Sequence, residues 1–320
     1  MACRCHTALN LPHPCTDAKF DFTKLILDAV KKYEIIPDRR EMIHDPMFKH
    51  MLTLYKKFHV SDPDSFTTSM CEWMFLGRYT GFRREEWCNE KSHEYTIIDD
   101  PLWVGNKTRS VAIEDFRFFD HNNAPVTITP DMWKNPQATL PRNIAFMELC
   151  FRKQKNNDNH QKIIYSRSTK CEHLCPVYLA FRIHCRGRRL GAPLTYPAAI
   201  YWDQKSCSHK LLTSRQANQF LRQVASKTFD IPAGHKSLEK WSCHSIRVTA
   251  CNLLHRAGFS DSYIKMRLRW RSKSFEMYLR NTFYSAGDHT SALALPVHPT
   301  AAERRTLEPH EELMHKATQA

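Results

Sequence analysis

A chain of 320 residues with 42% hydrophobic content is long enough for one large domain or two smaller ones, each with its own core. It has no run of eighteen apolar residues, its start MACRCHTALNLPHPC lacks the basic-then-apolar order of an export signal, and its 12 cysteines are scattered, which argues against membrane spans, export and a disulfide framework. The net charge of +14 is concentrated in residues 131–285, which hold 27 Lys and Arg against 9 Asp and Glu, and such an excess over a folded segment suits a polyanion, nucleic acid first.

Residues 1–16 read as an untethered leader. The apolar spacing of FTKLILDAVKKYE predicts a helix over 22–34, IIPDRREMIHDP (35–46) reads as a linker, and a second helix is expected from Phe48 to Phe58. In SDPDSFTTSMCEWMFLGRYTGF, helix-start residues precede an apolar run that reaches a turn at Tyr79-Thr80-Gly81. Between 93 and 167 the pattern changes to short runs rich in Ile, Phe and Tyr: EYTIID (94–99), FRFFD (116–120), NIAFMELCF (143–151) and KIIYS (162–166). These predict a small antiparallel sheet whose last hairpin turns through RKQKNNDNHQ. Helices are expected over 175–186, 213–227 with Thr213 or Ser214 as cap, 243–257, and as a further pair through 280, while 286–320 reads as a weakly ordered tail. The fold class is therefore α+β, mostly helical, with a small antiparallel sheet.

Two local clusters have ordinary readings. CEHLC (Cys171, His173, Cys175) matches no common zinc-finger spacing, and Cys175-Pro176 reads as a helix start. RGRR (186–189) reads as a phosphate-contacting run. The chain has no GxxxxGK[ST] motif and only 8 glycines, so nothing in it asks for a nucleotide cofactor.

CHSIRVTACNLLHRAG carries the chemistry. On a helical wheel Ile246, Ala250, Leu253 and Ala257 share one side, and His244, Arg247 and Cys251 form an adjacent face. A planar guanidinium grips a phosphate with two hydrogen bonds, and an imidazole moves a proton near neutral pH, so this pair suits a phosphodiester. With its neighbours in view, the sequence resembles the tyrosine recombinase (phage integrase-like) family, in particular the Crypton-like and DIRS-like recombinases of eukaryotic mobile elements. YTGFRREEW supplies Arg83 with Glu86 three residues on, HSIR supplies His244 and Arg247, Trp270 follows Arg247 by 23 residues, and Tyr278 follows Trp270 by eight. The match spans about residues 63–285.

The resemblance implies a tyrosine recombinase catalytic core and a set of roles. Arg83 and Arg247 clamp the scissile phosphate, Tyr278 is the nucleophile that forms a 3′-phosphotyrosyl link, His244 assists proton transfer, and Trp270 takes a position where His is more widespread. A hairpin lysine protonates the leaving oxygen, and Lys155 is preferred for this over Lys153 and Lys162. Tyr278 is preferred over Tyr284 because YLRN continues directly from the motif. The implied partner is double-stranded DNA held by a homo-tetramer on paired sites, with no metal, cofactor, membrane or small-molecule substrate, and the expected location is the nucleus in a eukaryote and otherwise the cytoplasm, without secretion. Residues 1–62 would be an incomplete form of the helical core-binding domain that relatives carry, 63–285 the catalytic domain, and 286–320 the tail. A DNA-binding remnant without activity and a type IB topoisomerase are the rival readings.

Overall fold

In a computed structural model that describes residues 40–98, 108–154 and 159–270, the described residues from 40 to 98 form two long helices and one short turn. Helix α1 (Asp45–Ser61) starts on Pro46, whose fixed φ suits a first turn, and buries Met47, Phe48, Met51 and Tyr55. Helix α2 (Phe66–Thr80) is capped by the Ser65 side chain, which accepts from the Thr68 N–H, and it is buried along most of its length. The single turn α3 (Arg84–Trp87) follows directly. Residues 40–62 share one hydrophobic core with the chain after them.

The sheet has four antiparallel strands in the order β2-β1-β3-β4, formed by β1 (Phe116–Phe119), β2 (Pro125–Val126), β3 (Phe146–Phe151) and β4 (Gln161–Ser166). Three of the four expected runs are present. EYTIID forms no strand among the described residues: Ile97 makes a lone antiparallel bridge to Thr108 and is 57% exposed, while Ile98 is buried and Tyr95 packs part-buried against the core. Pro125–Val126 takes the edge place instead, where a residue without an N–H is tolerated.

Beyond the short helix α4 (Pro130–Lys134), helix α5 (Pro176–Arg189) packs on the sheet through Phe181, edge-on to Phe118 at 6.3 Å between ring centres. A hairpin of β5 (Ile200–Asp203) and β6 (Ser208–Leu211) interrupts the helical half, a feature the sequence pattern did not suggest. Helix α6 (Ser214–Phe229) opens on a Thr213 capping box with Gln216, α7 (Cys243–Arg256) runs as expected, and α8 (Asp261–Leu268) ends at Arg269. The described residues are thus an α+β fold, mostly helical. The expected helix over 22–34 and the segment from 271 onward lie outside them.

Two arginines of the RGRR run, Arg186 and Arg189, turn inward, while Arg188 stays part-exposed over the Trp133 ring. Arg186 is wholly buried and donates to Glu72 Oε2 at 2.5 Å, to Ser69 Oγ at 3.1 Å and to Pro63 O at 3.0 Å, while Arg189 pairs with Asp64 at 2.5 Å. Glu72, fully buried in α2, also accepts from Tyr55 Oη at 3.2 Å. A carboxylate at that position must be paired to be tolerated, and α5 supplies the cation.

Two glycines set how α7 lies on α2. A Cβ at Gly77 would stand 2.5 Å from Ile246 Cγ2, so the bare backbone lets α7 approach. Gly81 ends α2 at φ +54°, and a Cβ there would meet Leu268 Cδ2 at 2.7 Å and Ala250 Cβ at 3.2 Å. The end of α2, the middle of α7 and the end of α8 therefore converge on one turn.

Candidate active site

The turn after Gly81 places Arg83 ahead of α3, with Phe82 buried beneath it. Phe82 packs between Trp73 at 5.3 Å and Phe151 at 5.7 Å, and Trp73 stacks on Trp87 at 5.3 Å. This aromatic floor fixes the backbone of the Arg83 turn against α2 and the end of β3.

Above that floor three arginines meet one carboxylate. Glu86, 4% exposed, accepts the Arg83 backbone N–H on Oε2 and Arg83 Nη1 on Oε1, both at 2.8 Å, and takes Arg269 Nη2 on Oε2 at 2.7 Å. Arg83 Nη1 also reaches Gln154 Oε1 at 3.2 Å, and Arg83 Nη2 reaches Arg269 O at 2.6 Å. Arg247, 2% exposed, donates from Nη1 to Gly81 O at 2.8 Å and from Nη2 to Leu268 O. Its guanidinium carbon lies 4.2 Å from the centre of the Trp270 ring. Arg83 and Arg247 are thus held on the consecutive carbonyls of Arg269 and Leu268, from positions 164 residues apart in the chain.

The electrostatics favour an anion. Burial works against the Glu86 carboxylate, but Arg269, Arg247 and Arg83 outweigh it and hold its pKa below the usual range. Arg247 is in the opposite position: burial, then Arg83 and Arg269, push its pKa well down, and its two hydrogen bonds go to neutral carbonyls. Arginine keeps its proton under such pressure, so three positive groups face one negative one, and a bound anion would relieve the excess.

His244 lies on the first turn of α7, three residues before Arg247. Burial, reinforced by the charges of Arg247 and Arg40, lowers its pKa to about 4. It is therefore neutral near pH 7, the form that can accept a proton, although burial makes it a weaker base than an exposed imidazole. The α7 face is otherwise as its wheel implies at Ile246, Ala250 and Cys251, all buried, whereas Ala257 is exposed because the helix ends at Arg256.

Of the residues expected from sequence, Arg83, Arg247 and Trp270 come together, and His244 shares a helix with Arg247. Lys155 and Tyr278 lie outside the described residues. Gln154, the neighbour of Lys155, touches Arg83 and is tied back into the hairpin through Gln161 Oε1 at 3.1 Å and Asn159 Oδ1 at 2.9 Å. Lys162 pairs instead with Glu148 at 3.5 Å and is half exposed. The structure adds Arg269, which sequence reasoning missed because its backbone, at φ +58°, occupies a conformation that pattern rules assign to Gly or Asn.

A groove of about 730 Å³ runs along α6, lined by Arg215, Asn218, Gln219, Arg222, Gln223 and His235 among others. Asn218 Oδ1 accepts the Cys243 N–H at 2.8 Å, which joins the groove wall to the residue before His244.

Comparison with known families and with curated proteins finds no match. Among solved structures the chain is similar to the Tn1549 transposon integrase in complex with transposon right end DNA, at a TM-score of 0.37 and 13% identity, over 82% of this chain and 68% of that one.

Proposed function

We propose that this protein is a DNA strand-exchange enzyme of the tyrosine recombinase kind, and the observation that carries the reading is that part-exposed Arg83 and buried Arg247 are fixed on adjacent carbonyls beside Trp270. In this reading the two guanidinium groups take the non-bridging oxygens of a scissile phosphate and neutralise the charge that builds in the transition state. The Tyr278 oxygen attacks phosphorus. A tyrosyl–phosphorus bond forms, the bond to the 5′-oxygen breaks, and the phosphodiester count is conserved, so rejoining needs no energy source. Neutral His244 accepts the tyrosine proton, and Lys155 returns one to the leaving oxygen.

DNA is the partner, held mainly through phosphates. The amide and guanidinium side chains along the α6 groove are the types that pair with base edges, so Arg215, Gln219 and Gln223 are the residues assigned to sequence readout. Exchange between two duplexes takes four protomers, and an origin in a mobile element of a eukaryotic nucleus completes the reading.

The test is a pool of nicked duplexes randomised around the nick, incubated with the full chain and resolved under denaturing conditions. The expected result is a covalent protein–DNA band that is lost in Tyr278→Phe and reduced by about 10² to 10³ in Arg247→Ala. DNA retention without a covalent band from any duplex overturns the enzyme and leaves a DNA-binding protein.

A further inference from the structure

Two turns exchange arginines across the site. Thr80 O accepts Arg269 Nη1 at 3.0 Å, and Gly81 O accepts Arg247 Nη1 at 2.8 Å. In the other direction Leu268 O accepts Arg247 Nη2, and Arg269 O accepts Arg83 Nη2 at 2.6 Å. Each turn offers two consecutive carbonyls. Arg269 is the residue that contributes to the set with both its side chain and its carbonyl.

Three features argue that the Arg269 side chain has a task beyond packing. A left-handed backbone at φ +58° is strained for an arginine and would not be for a glycine. The side chain is nonetheless turned inward, with its guanidinium carbon 3.5 Å from the centre of the Phe151 ring. Its Nη2 then holds Glu86 Oε2, leaving Oε1 of the same carboxylate to hold Arg83 Nη1. Glu86 is thereby a spacer between two cations.

We infer that Arg269 is a positioning residue for phosphoryl transfer: through Glu86 and its own carbonyl it sets Arg83, and by fixing its turn it sets the Leu268 carbonyl that holds Arg247. The inference rests on the recombinase reading. It also gives the two halves of the chemistry a common anchor, since the chain leaves this brace at Trp270, eight residues before Tyr278.

Single-turnover adduct formation on the nicked duplex pool tests it, with rate at saturating DNA, DNA half-saturation and thermal midpoint measured together. Arg269→Lys keeps a charge for Glu86 but lacks the planar fork that spans Thr80 O and the carboxylate. The double variant Glu86→Gln/Arg269→Gln replaces the ion pair by an amide pair, and carries the test if the lysine variant does not fold. The expected result is a saturated rate about 10²-fold lower, with half-saturation within about threefold of the wild type, because misplaced clamps cost rate rather than affinity. A wild-type saturated rate in either folded variant overturns the inference, as does a loss confined to half-saturation. If the wild-type chain itself gives no adduct, the recombinase reading falls and this role falls with it; a wild-type adduct with unchanged variants removes the role of Arg269 alone.

Discussion

His244 shows how far burial, rather than residue type, decides a site residue's part. Its pKa of about 4 lies below the 6.5 of an exposed imidazole, so the folded protein favours the neutral form. Between those values the unfolded chain binds the extra proton, and stability present above pH 6.5 is lost as pH falls through about 4. His184, buried against Ile113 O and also lowered to about 4, adds a loss in the same window. Adduct formation should therefore stay level from pH 8 to 6 on its acid side and fall only toward pH 4. A pH–rate profile with a midpoint near 6.5 would contradict the assignment of His244. Residue type and spacing made Arg83, His244, Arg247 and Trp270 legible in the sequence. Arg269 was not legible, because its place depends on a backbone conformation that arginine seldom adopts.

At the scale of elements, the site depends on how closely α2, α7 and α8 approach. Gly81 is where the three meet: an alanine there would force φ +54° on a side chain and press its Cβ to 2.7 Å from Leu268. Gly81→Ala should lower stability by about 2 kcal/mol or more in denaturant unfolding. It should also slow adduct formation, since the Gly81 and Leu268 carbonyls hold Arg247. An unchanged unfolding midpoint would show that the turn tolerates a side chain. The helices were readable because their apolar spacing and caps agree, as at Thr213 and Gln216. The β5–β6 hairpin was not, since Ser208, His209 and Lys210 offer no apolar alternation, and its pairing with β5 comes from the fold around it.

For the molecule as a whole, net charge announces a polyanion but overstates the surface available for one. Arg152, Arg182, Arg186 and Arg247 are all buried, the first with Asp115 and Glu114, the second and third with Glu72. Which arginines stay inside is fixed by tertiary contacts far apart in sequence, and these take Arg186 out of the basic run of α5. DNA retention should still fall steeply with salt, as phosphate contacts release counterions. With Arg215 of the α6 groove assigned to a base, Arg215→Ala should lower affinity by about 1–3 kcal/mol for one sequence and keep the slope of log affinity against log salt; a slope reduced by about one would put Arg215 on a phosphate and overturn that assignment.

If the arginine pair serves a phosphodiester attacked by Tyr278, the chemical identity of the adduct reports it without intermediary. Protein recovered from the nicked-duplex reaction, digested by nuclease and protease and mapped by mass spectrometry, should carry a nucleotide 3′-phosphate on Tyr278. A nucleotide on Tyr284 or on any other side chain, or no modified peptide in a sample that retains DNA, would contradict the account.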